Sequence, residues 1–144
     1  MRDDEKLSPH LTVGEVKCTC GCGFGTEPGD LRPETAELFE AIRHAAGDLP
    51  ITVTSACRCV GHQIEIYEAR GETMTAERAR GSAHVRGLAL DLKPPEGWSL
   101  ECFYQLCSAW VKQGGCGIYG PLNGNFVHVD CMHEPTFYRR WEKP

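Results

Sequence analysis

The sequence predicts a single domain that combines helices with short β-strands, two of which form a hairpin. A chain of 144 residues suits one domain. Apolar residues recur at helical spacing over residues 33–46 and 99–113, whereas residues 116–119 and 126–130 alternate as strands do around a Gly- and Pro-containing turn. With 41% hydrophobic and 24% charged residues, the composition is typical of a soluble globular protein.

The first half of the chain is predicted to hold one helix and one strand. Residues 1–10 are polar and charged, and we expect them to be loosely ordered ahead of a domain over residues 11–144. Pro33 suits the first position of a helix, and apolar residues follow it at helical spacing. Residues 51–54 are β-branched at alternate positions and short, which predicts a strand.

Two further helices are predicted on either side of the central segment. Residues 63–69 are expected to be helical, and the polar residues 70–81 are expected to form a short helix or a loop beside a cleft. Ser99 is a plausible N-cap for the strongly amphipathic helix over residues 99–113, and a Gly-Gly pair follows that helix.

Charge and hydropathy argue against two classes of partner. The formal net charge of −5 and the pI of about 5.7 disfavour nucleic acid as the main partner, because phosphate binding requires a basic patch. No apolar run approaches the roughly 20 residues of a membrane helix. The N-terminus lacks the apolar core of a signal peptide, so we expect cytoplasmic synthesis and release by another agent before any action outside the cell.

The chain contains nine cysteines, and an odd number of cysteines cannot all pair within one chain. Without a secretory signal, free thiols or metal ligation are favoured over a disulfide framework. Cys18, Cys20 and Cys22 lie in a Gly-rich loop, and Cys57 and Cys59 form the other close pair. A composite metal site from both groups is one interpretation. Free or buried thiols are favoured, because zinc knuckles usually contain C-x2-C pairs.

The stretch from residue 82 to residue 91 contains the first candidate site residues. His84 and Asp91 do not share a simple helix face, but they can meet if the chain turns at Gly87, which tolerates positive φ. Residues 88–90 then form a buried strand with Asp91 at its far end. A carboxylate in such an apolar run needs a partner, and a metal ion is one such partner.

The predicted hairpin supplies a third candidate ligand. His128 and Asp130 are two residues apart on one strand, so their side chains face the same side of the sheet. Together with His84 and Asp91, His128 would complete the three protein ligands of a catalytic zinc, with one position left for water. His133 is an alternative third ligand, but a strand position fixes an imidazole better than the loop after it.

Two further residues are candidates for catalysis at such a metal. Asp130 is the natural general base, since a carboxylate within one water of the metal can accept a proton. Arg58 follows the predicted strand at 51–54 and would stabilise a developing oxyanion. If His133 were the ligand instead, Asp130 would remain the base and His128 would act as an acid or transition-state stabiliser.

Three segments, over residues 54–59, 82–91 and 117–130, carry a resemblance to the zinc D-Ala-D-Ala carboxypeptidases. This group also contains the lysostaphin-type peptidases and the hedgehog signalling domain, and the likeness is nearest to its short phage- or prophage-associated members. The resemblance spans residues 11–141. It implies an α+β fold in which a small antiparallel sheet, flanked by helices, carries a zinc site. It further implies endolysin-like hydrolysis of peptide bonds in peptidoglycan stem peptides or cross-links. We expect the protein to act as a monomer.

Carried over by residue, His84 and Asp91 resemble the first two zinc ligands and His128 the third. Arg58 resembles the arginine that stabilises the transition state or grips the substrate. One departure matters. Many relatives have a catalytic Glu three residues before the last ligand, and Asn125 stands there in this chain. Because of this departure, Asp130 is the candidate for the general base. An alternative function also stays open, in which the protein is a non-catalytic zinc-binding module for a cell-wall or protein partner.

Overall fold

The computed structural model describes residues 1–133 and 138–144, and it has the predicted α+β character. The helices are α1 (Val13–Val16), α2 (Pro33–Ala45), α3 (Val60–Ala69), α4 (Ala76–Arg80) and α5 (Leu100–Trp110). The strands are β1 (Lys6–Ser8), β2 (Leu11–Thr12), β3 (Val53–Ser55), β4 (Ala89–Leu92), β5 (Gly114–Tyr119), β6 (Phe126–Asp130) and β7 (Tyr138–Lys143). β1 and β2 form a small antiparallel ribbon, and the other five strands form one sheet.

The five-stranded sheet has the order β3-β4-β6-β5-β7. The β5–β6 hairpin is confirmed, and β4 pairs antiparallel with β6 on its other side. The sheet is mixed rather than purely antiparallel, because β7 runs parallel to β5. The sequence does not predict β7, since its residues lack the apolar alternation of a half-buried strand. Pairing with the edge of β5 supplies its backbone hydrogen bonds instead.

The predicted helices are confirmed with small shifts at their ends. α2 begins at Pro33, and α5 is capped by Ser99, whose Oγ accepts a hydrogen bond from the Cys102 amide at 3.1 Å. α3 begins three residues earlier than expected, because the Cys59 side chain caps it and accepts from the His62 amide. Within the part of the chain that the structure describes, no helix has both the length and the apolar character needed to cross a bilayer.

The sheet has one apolar face and one polar face. On the apolar face, Val127 and Val129 of β6 are fully buried, as are Leu90 and Leu92 of β4. They pack in one core with side chains of α2 and α5 that include Phe39, Ile42, Phe103 and Cys107. Because strand side chains alternate, this packing directs the intervening residues of β4 and β6 to the opposite face.

The first strand of the N-terminal ribbon lies in residues 1–10, which the sequence predicts to be loosely ordered. Residues 6–8 form β1, and their neighbours bind α2 through Glu40. The Glu40 carboxylate accepts from Ser8 Oγ at 2.6 Å, from the His10 amide at 2.8 Å and bonds His10 Nδ1 at 2.7 Å. These polar contacts join the N-terminal segment to a carboxylate that is distant in sequence.

Gly87 forms the predicted turn between His84 and the buried strand. Its φ is +70°, and a Cβ at this position would collide with the Asp30 carbonyl oxygen. The Gly87 carbonyl accepts from the Arg32 amide at 2.9 Å and from Thr35 Oγ1 at 3.0 Å. These hydrogen bonds attach the turn to the start of α2 and so fix the position of the loop that carries His84.

Candidate metal centre

The strand register aligns one row of residues across the polar face of the sheet. Ser55 pairs with Asp91, Asp91 with His128, His128 with Gly117, and Gly117 with Trp141. Residues paired across neighbouring strands share a face, with their Cβ atoms about 5 Å apart. Backbone pairing alone therefore brings the Asp91 carboxylate next to the His128 imidazole.

His84 joins this row from the loop that precedes β4. Its Nδ1 donates to the Ala56 carbonyl at 2.7 Å, and since a carbonyl can only accept, Nδ1 carries the proton. The other ring nitrogen, Nε2, lies 3.3 Å from Asp91 Oδ1. The His84 and His128 rings meet edge to face with their centroids 5.2 Å apart. His84 thus presents Nε2, not Nδ1, to the site.

His128 lies between two carboxylates. Its Nδ1 is 3.0 Å from Asp91 Oδ1 and its Nε2 is 2.8 Å from Asp130 Oδ2. Burial by itself would lower the pKa of His128, but the hydrogen bonds to Asp130 and Asp91 outweigh it and raise the pKa to about 9. Without a metal, the ring is therefore a cation held by both carboxylates.

Asp91 is buried and keeps its charge. Burial opposes ionisation, but the neighbouring His84 and His128 rings outweigh it and hold the pKa of Asp91 well below its ordinary value. The ligand atoms of Asp91 and the two histidines lie within 4.8 Å of one another. A buried carboxylate between two imidazoles provides the nitrogen and oxygen donors that zinc prefers.

The surroundings of the two imidazoles fit a metal. The Ala56 carbonyl fixes the His84 tautomer, and the Asp130 carboxylate can hold the Nε2 proton of His128. Ligating histidines ordinarily donate their second N–H to such an outer partner. His84 Nε2 and His128 Nδ1 are then the two nitrogens available to an ion beside Asp91.

Asp130 is almost completely buried and its oxygens are engaged. Oδ1 accepts from the Gly115 amide at 2.9 Å, from the Met132 amide at 3.1 Å and from Arg139 at 2.5 Å, while Oδ2 faces His128. Burial opposes ionisation of Asp130, but the contacts with His128, Gly115 and Arg139 outweigh it and lower the pKa. The carboxylate, predicted as the general base, faces the His128 ring rather than open cleft.

Arg58 lies beside Asp91 and is largely buried. Its guanidinium donates to Ser55 Oγ and to Gln63 Oε1, both at 2.7 Å, and approaches Asp91 Oδ2 at 3.7 Å. Its Nε has no hydrogen-bond partner among the described residues. That nitrogen is buried, so it is the positive charge of the guanidinium, fixed next to the candidate ligands, that can stabilise an oxyanion.

Comparison with known proteins agrees with this geometry. A sequence profile of the Peptidase M15 family matches residues 9–130, which is most of the chain. The chain belongs to the Peptidase M15 family. Peptidase M15 is a family of metallopeptidases, and the match confirms the resemblance to the D-Ala-D-Ala carboxypeptidase group that was drawn from the motifs. A search among curated proteins gave no significant match.

His133, the alternative ligand, lies apart from the metal group of this Peptidase M15 domain. It lines a separate cavity together with Arg32, Glu34 and Arg86. The group of donor atoms that includes His84 and Asp91 contains His128 and not His133. The geometry therefore favours the strand histidine as the third ligand.

Two glycines of β5 open the site to side chains from β7. A Cβ at Gly115 would lie 2.6 Å from Asp130 Oδ2 and 2.9 Å from Arg139, and one at Gly117 would collide with the Trp141 indole. Arg139 and Trp141 therefore fold over β5 and line the cleft, which no sequence motif indicated. Alternate glycines within a strand do signal the close approach of another group, and this signal could have located them.

Proposed function

We propose that the protein is a zinc-dependent peptidase that hydrolyses peptide bonds in peptidoglycan, acting as a monomer on stem peptides or their cross-links. The observation that carries the proposal is the convergence of His84 Nε2, the Asp91 carboxylate and His128 Nδ1 in a cleft of about 280 Å³. Membership of the Peptidase M15 family supports the same reaction class.

The chain's own residues would hold the metal and prepare it for hydrolysis. A zinc ion held at this position would polarise a carbonyl group and lower the pKa of a water molecule. His84, Asp91 and His128 would bind the ion, and the Ala56 carbonyl and Asp130 would keep both rings in the ligating tautomer. Because His128 would have to give up its Nδ1 proton to bind, metal uptake would release a proton at neutral pH.

The charge of the cleft supports an anionic peptide as substrate. Arg58, Arg70 and Arg139 all line it. Guanidinium groups match carboxylates in shape and charge, and peptidoglycan stem peptides carry free carboxylates. Arg58, the cation beside Asp91, is the group that would stabilise the carbonyl oxygen as it becomes negatively charged, or bind the terminal carboxylate of the peptide.

The engaged oxygens of Asp130 support an orienting role. Its Oδ2 accepts a hydrogen bond from His128 Nε2, and its Oδ1 already has three donors. As a general base it would need to leave His128 and accept a proton from water, at the expense of the hydrogen bond to His128 Nε2. Asp130 therefore acts mainly as a positioning residue.

The alternative function is a non-catalytic zinc module that binds a cell-wall or protein partner. Asn125, at the position of the Glu in many relatives, has a φ of +57° and lies in the turn before β6. Among described residues, the carboxylates that line the cleft are Asp91 and Asp130. One of these is a candidate ligand and the other is bonded to His128, which favours a module without a free base.

The test is hydrolysis of muropeptides and of D-Ala-D-Ala peptides by the zinc-loaded protein, followed by mass spectrometry. The proposal predicts turnover for wild type and for the control His44→Ala, whose exposed ring lies on α2. It predicts loss of turnover for His84→Ala. A zinc-loaded wild type that binds muropeptides without hydrolysing them would establish the module instead. Absence of both binding and turnover would contradict a peptidoglycan substrate.

A further inference from the structure

Four cysteine thiols converge at a second place in the fold, behind Arg58. Cys18, Cys20 and Cys22 come from one Gly-rich loop, and Cys59 comes from the start of α3. All four sulfur atoms lie within 4.8 Å of one another. Cys20 Sγ is 3.4 Å from Cys18 Sγ and 3.6 Å from Cys59 Sγ. The loop and the helix are about forty residues apart in sequence, so the group exists only in the folded chain.

These separations match one metal ion with four sulfur ligands. Tetrahedral zinc with bonds of about 2.3 Å to sulfur holds its sulfur atoms about 3.8 Å apart. A disulfide would require about 2.05 Å. An iron–sulfur cluster would place several atoms between opposite sulfurs and separate them more widely. We propose that Cys18, Cys20, Cys22 and Cys59 bind a second, structural zinc ion.

The loop has the conformation that three alternate ligands need. Gly21 and Gly23 have φ values of +84° and +93°, so the chain turns back after Cys20 and again after Cys22. The Cys18 amide donates to the Phe24 carbonyl at 2.8 Å and closes the loop. The glycines between and after the cysteines thus allow three side chains of a C-x-C-x-C segment to face one point.

Backbone amides already point at three of the four sulfurs. The Phe24 amide donates to Cys22 Sγ at 3.4 Å, the Cys59 amide to Cys18 Sγ at 3.4 Å, and the His62 amide to Cys59 Sγ at 3.3 Å. Hydrogen bonds of this kind stabilise the thiolate form that binds metals. Cys59 is also the N-cap of α3, where the helix dipole favours a negative charge.

Cys57 does not belong to this group, although the sequence pairs it with Cys59. It is buried in the core, its amide donates to the Val16 carbonyl, and its Cβ faces Gly25. Cys20 and Cys22 are exposed, which gives an ion a path from solvent. The four ligands are therefore Cys18, Cys20, Cys22 and Cys59.

The position of the group assigns it a structural task. Cys59 directly follows Arg58, and α3, which begins at the next residue, carries the Gln63 that bonds Arg58. A metal that joins the loop over residues 18–22 to Cys59 would fix both ends of this contact. The site would thereby hold Arg58 in the cleft without touching substrate.

The test is the zinc content of full-length protein purified under reducing conditions, measured by elemental mass spectrometry. We expect two zinc ions per chain in wild type and in the control Cys102→Ser, whose exposed thiol lies on α5. We expect one in His84→Ala and one in Cys20→Ser. Cobalt bound to His84→Ala should show strong thiolate charge-transfer absorption, as a site with four sulfur ligands requires.

Three results would overturn the proposal. One is a single zinc per chain that His84→Ala removes. Another is cobalt bound to His84→Ala without thiolate bands. A third is a disulfide within the group that persists in protein purified under reducing conditions, detected by mass spectrometry. The cobalt spectrum does not depend on the folding of Cys20→Ser, so it decides even if that variant fails to fold. The hydrolysis assay tests the centre at His84, Asp91 and His128, so its failure would be distinguishable from these three results.

Discussion

At the residue scale, the decisive feature is that His128 contacts Asp91 and Asp130 through opposite ring nitrogens. A ring with one nitrogen on an outer carboxylate keeps the other for a metal. The outer carboxylate is itself fixed by two amides and Arg139. The orientation of the His128 ring, the third candidate ligand, therefore depends on Asp130, which is not itself a candidate ligand.

This arrangement predicts that Asp130→Asn weakens zinc binding at the centre of His84, Asp91 and His128 by about 10–100-fold. The physical reason is that the amide removes the negative charge that fixes the Nε2 proton of His128. Chelator competition measures the affinity, and Asp4→Asn, at an exposed site, is the control. If Asp130 is instead the general base, turnover will be lost at saturating zinc while affinity stays unchanged.

Arg58→Lys is predicted to lower hydrolysis by about 100-fold or more while the zinc content stays unchanged. Lysine keeps the charge, but it cannot donate to Ser55 and Gln63 at the same time and still present a fixed donor to the substrate. Steady-state kinetics with a muropeptide provide the measurement. Arg80→Lys, exposed on α4, should behave as wild type. A parallel loss of zinc in Arg58→Lys would contradict the assigned role.

At the scale of elements, the glycines of β5 leave space on the cleft side of the sheet for side chains of β7. Gly117 faces the Trp141 indole, which donates to Tyr119 Oη at 2.9 Å and lies 5.3 Å from the His128 ring, between centroids. The sheet thus obtains a cleft wall from a neighbouring strand rather than from β5 itself.

Gly117→Ala is therefore predicted to displace the Trp141 ring and to lower the free energy of unfolding by about 1–3 kcal/mol, the usual effect of overpacking. The Trp141 indole N–H signal in nitrogen-15 spectra, assigned with Trp141→Phe, should move to that of an exposed indole. Gly61→Ala, in α3 with open space at its Cβ, is the matched control and should not destabilise. An unchanged Trp141 signal in Gly117→Ala would refute this account.

The contact between the N-terminal ribbon and α2 predicts a pH dependence. Burial opposes ionisation of Glu40, but hydrogen bonds from Ser8 and His10 outweigh it and lower its pKa below the ordinary 4.5. A lowered folded-state pKa gives stability that is complete above 4.5 and is lost as pH falls through the folded value.

Glu40→Gln should therefore cost about 0.5–1 kcal/mol at pH 7, after allowance for solvent screening, and progressively less as pH falls below 4.5. Denaturant unfolding of both proteins across this range measures the difference. Glu68→Gln, exposed on α3, serves as the control. A difference that stays constant with pH would show that the Glu40 charge does not stabilise the ribbon.

At the scale of the whole molecule, the sequence identified what local patterns encode. α2, α5 and the β5–β6 hairpin follow from periodicity and turn chemistry within a few residues. His84, Asp91 and His128 could be grouped because strand alternation and a Gly turn restrict where their side chains face. β7 and its side chains could not, since parallel pairing with β5 is a nonlocal contact that leaves no period in the strand itself.

The same limit explains why the sequence did not predict a metal site at the cysteines. The spacing of Cys18, Cys20 and Cys22 contains no C-x2-C pair, so the sequence favoured free thiols. The fourth sulfur, from Cys59, becomes a neighbour only when the start of α3 packs against the loop. A ligand set divided between distant segments is a property of the tertiary structure, and no local spacing reports it.

The two faces of the sheet give consecutive arginines of β7 different roles. Arg139 lies on the cleft side and binds Asp130. Arg140 lies on the other side and donates to the Ser108, Val111 and Gly114 carbonyls, which lie at the end of α5 and the start of β5. Helix ends leave such carbonyls without intrahelical partners, so Arg140 fastens the last strand to the helical layer.

Arg140→Met is accordingly predicted to lower the free energy of unfolding by about 2–4 kcal/mol, because it leaves several carbonyls without donors. It should leave zinc affinity and hydrolysis close to wild type. Arg139→Met should have the opposite profile, with weaker zinc binding through a less fixed Asp130 and a smaller effect on unfolding. Denaturant titration and chelator competition on both variants, with exposed Arg2→Met as control, separate the two effects. If both arginine variants change the free energy of unfolding and the zinc affinity by similar amounts, the assignment of different roles to the two faces of the sheet is refuted. Arg139 and Arg140 would then act through one shared contact.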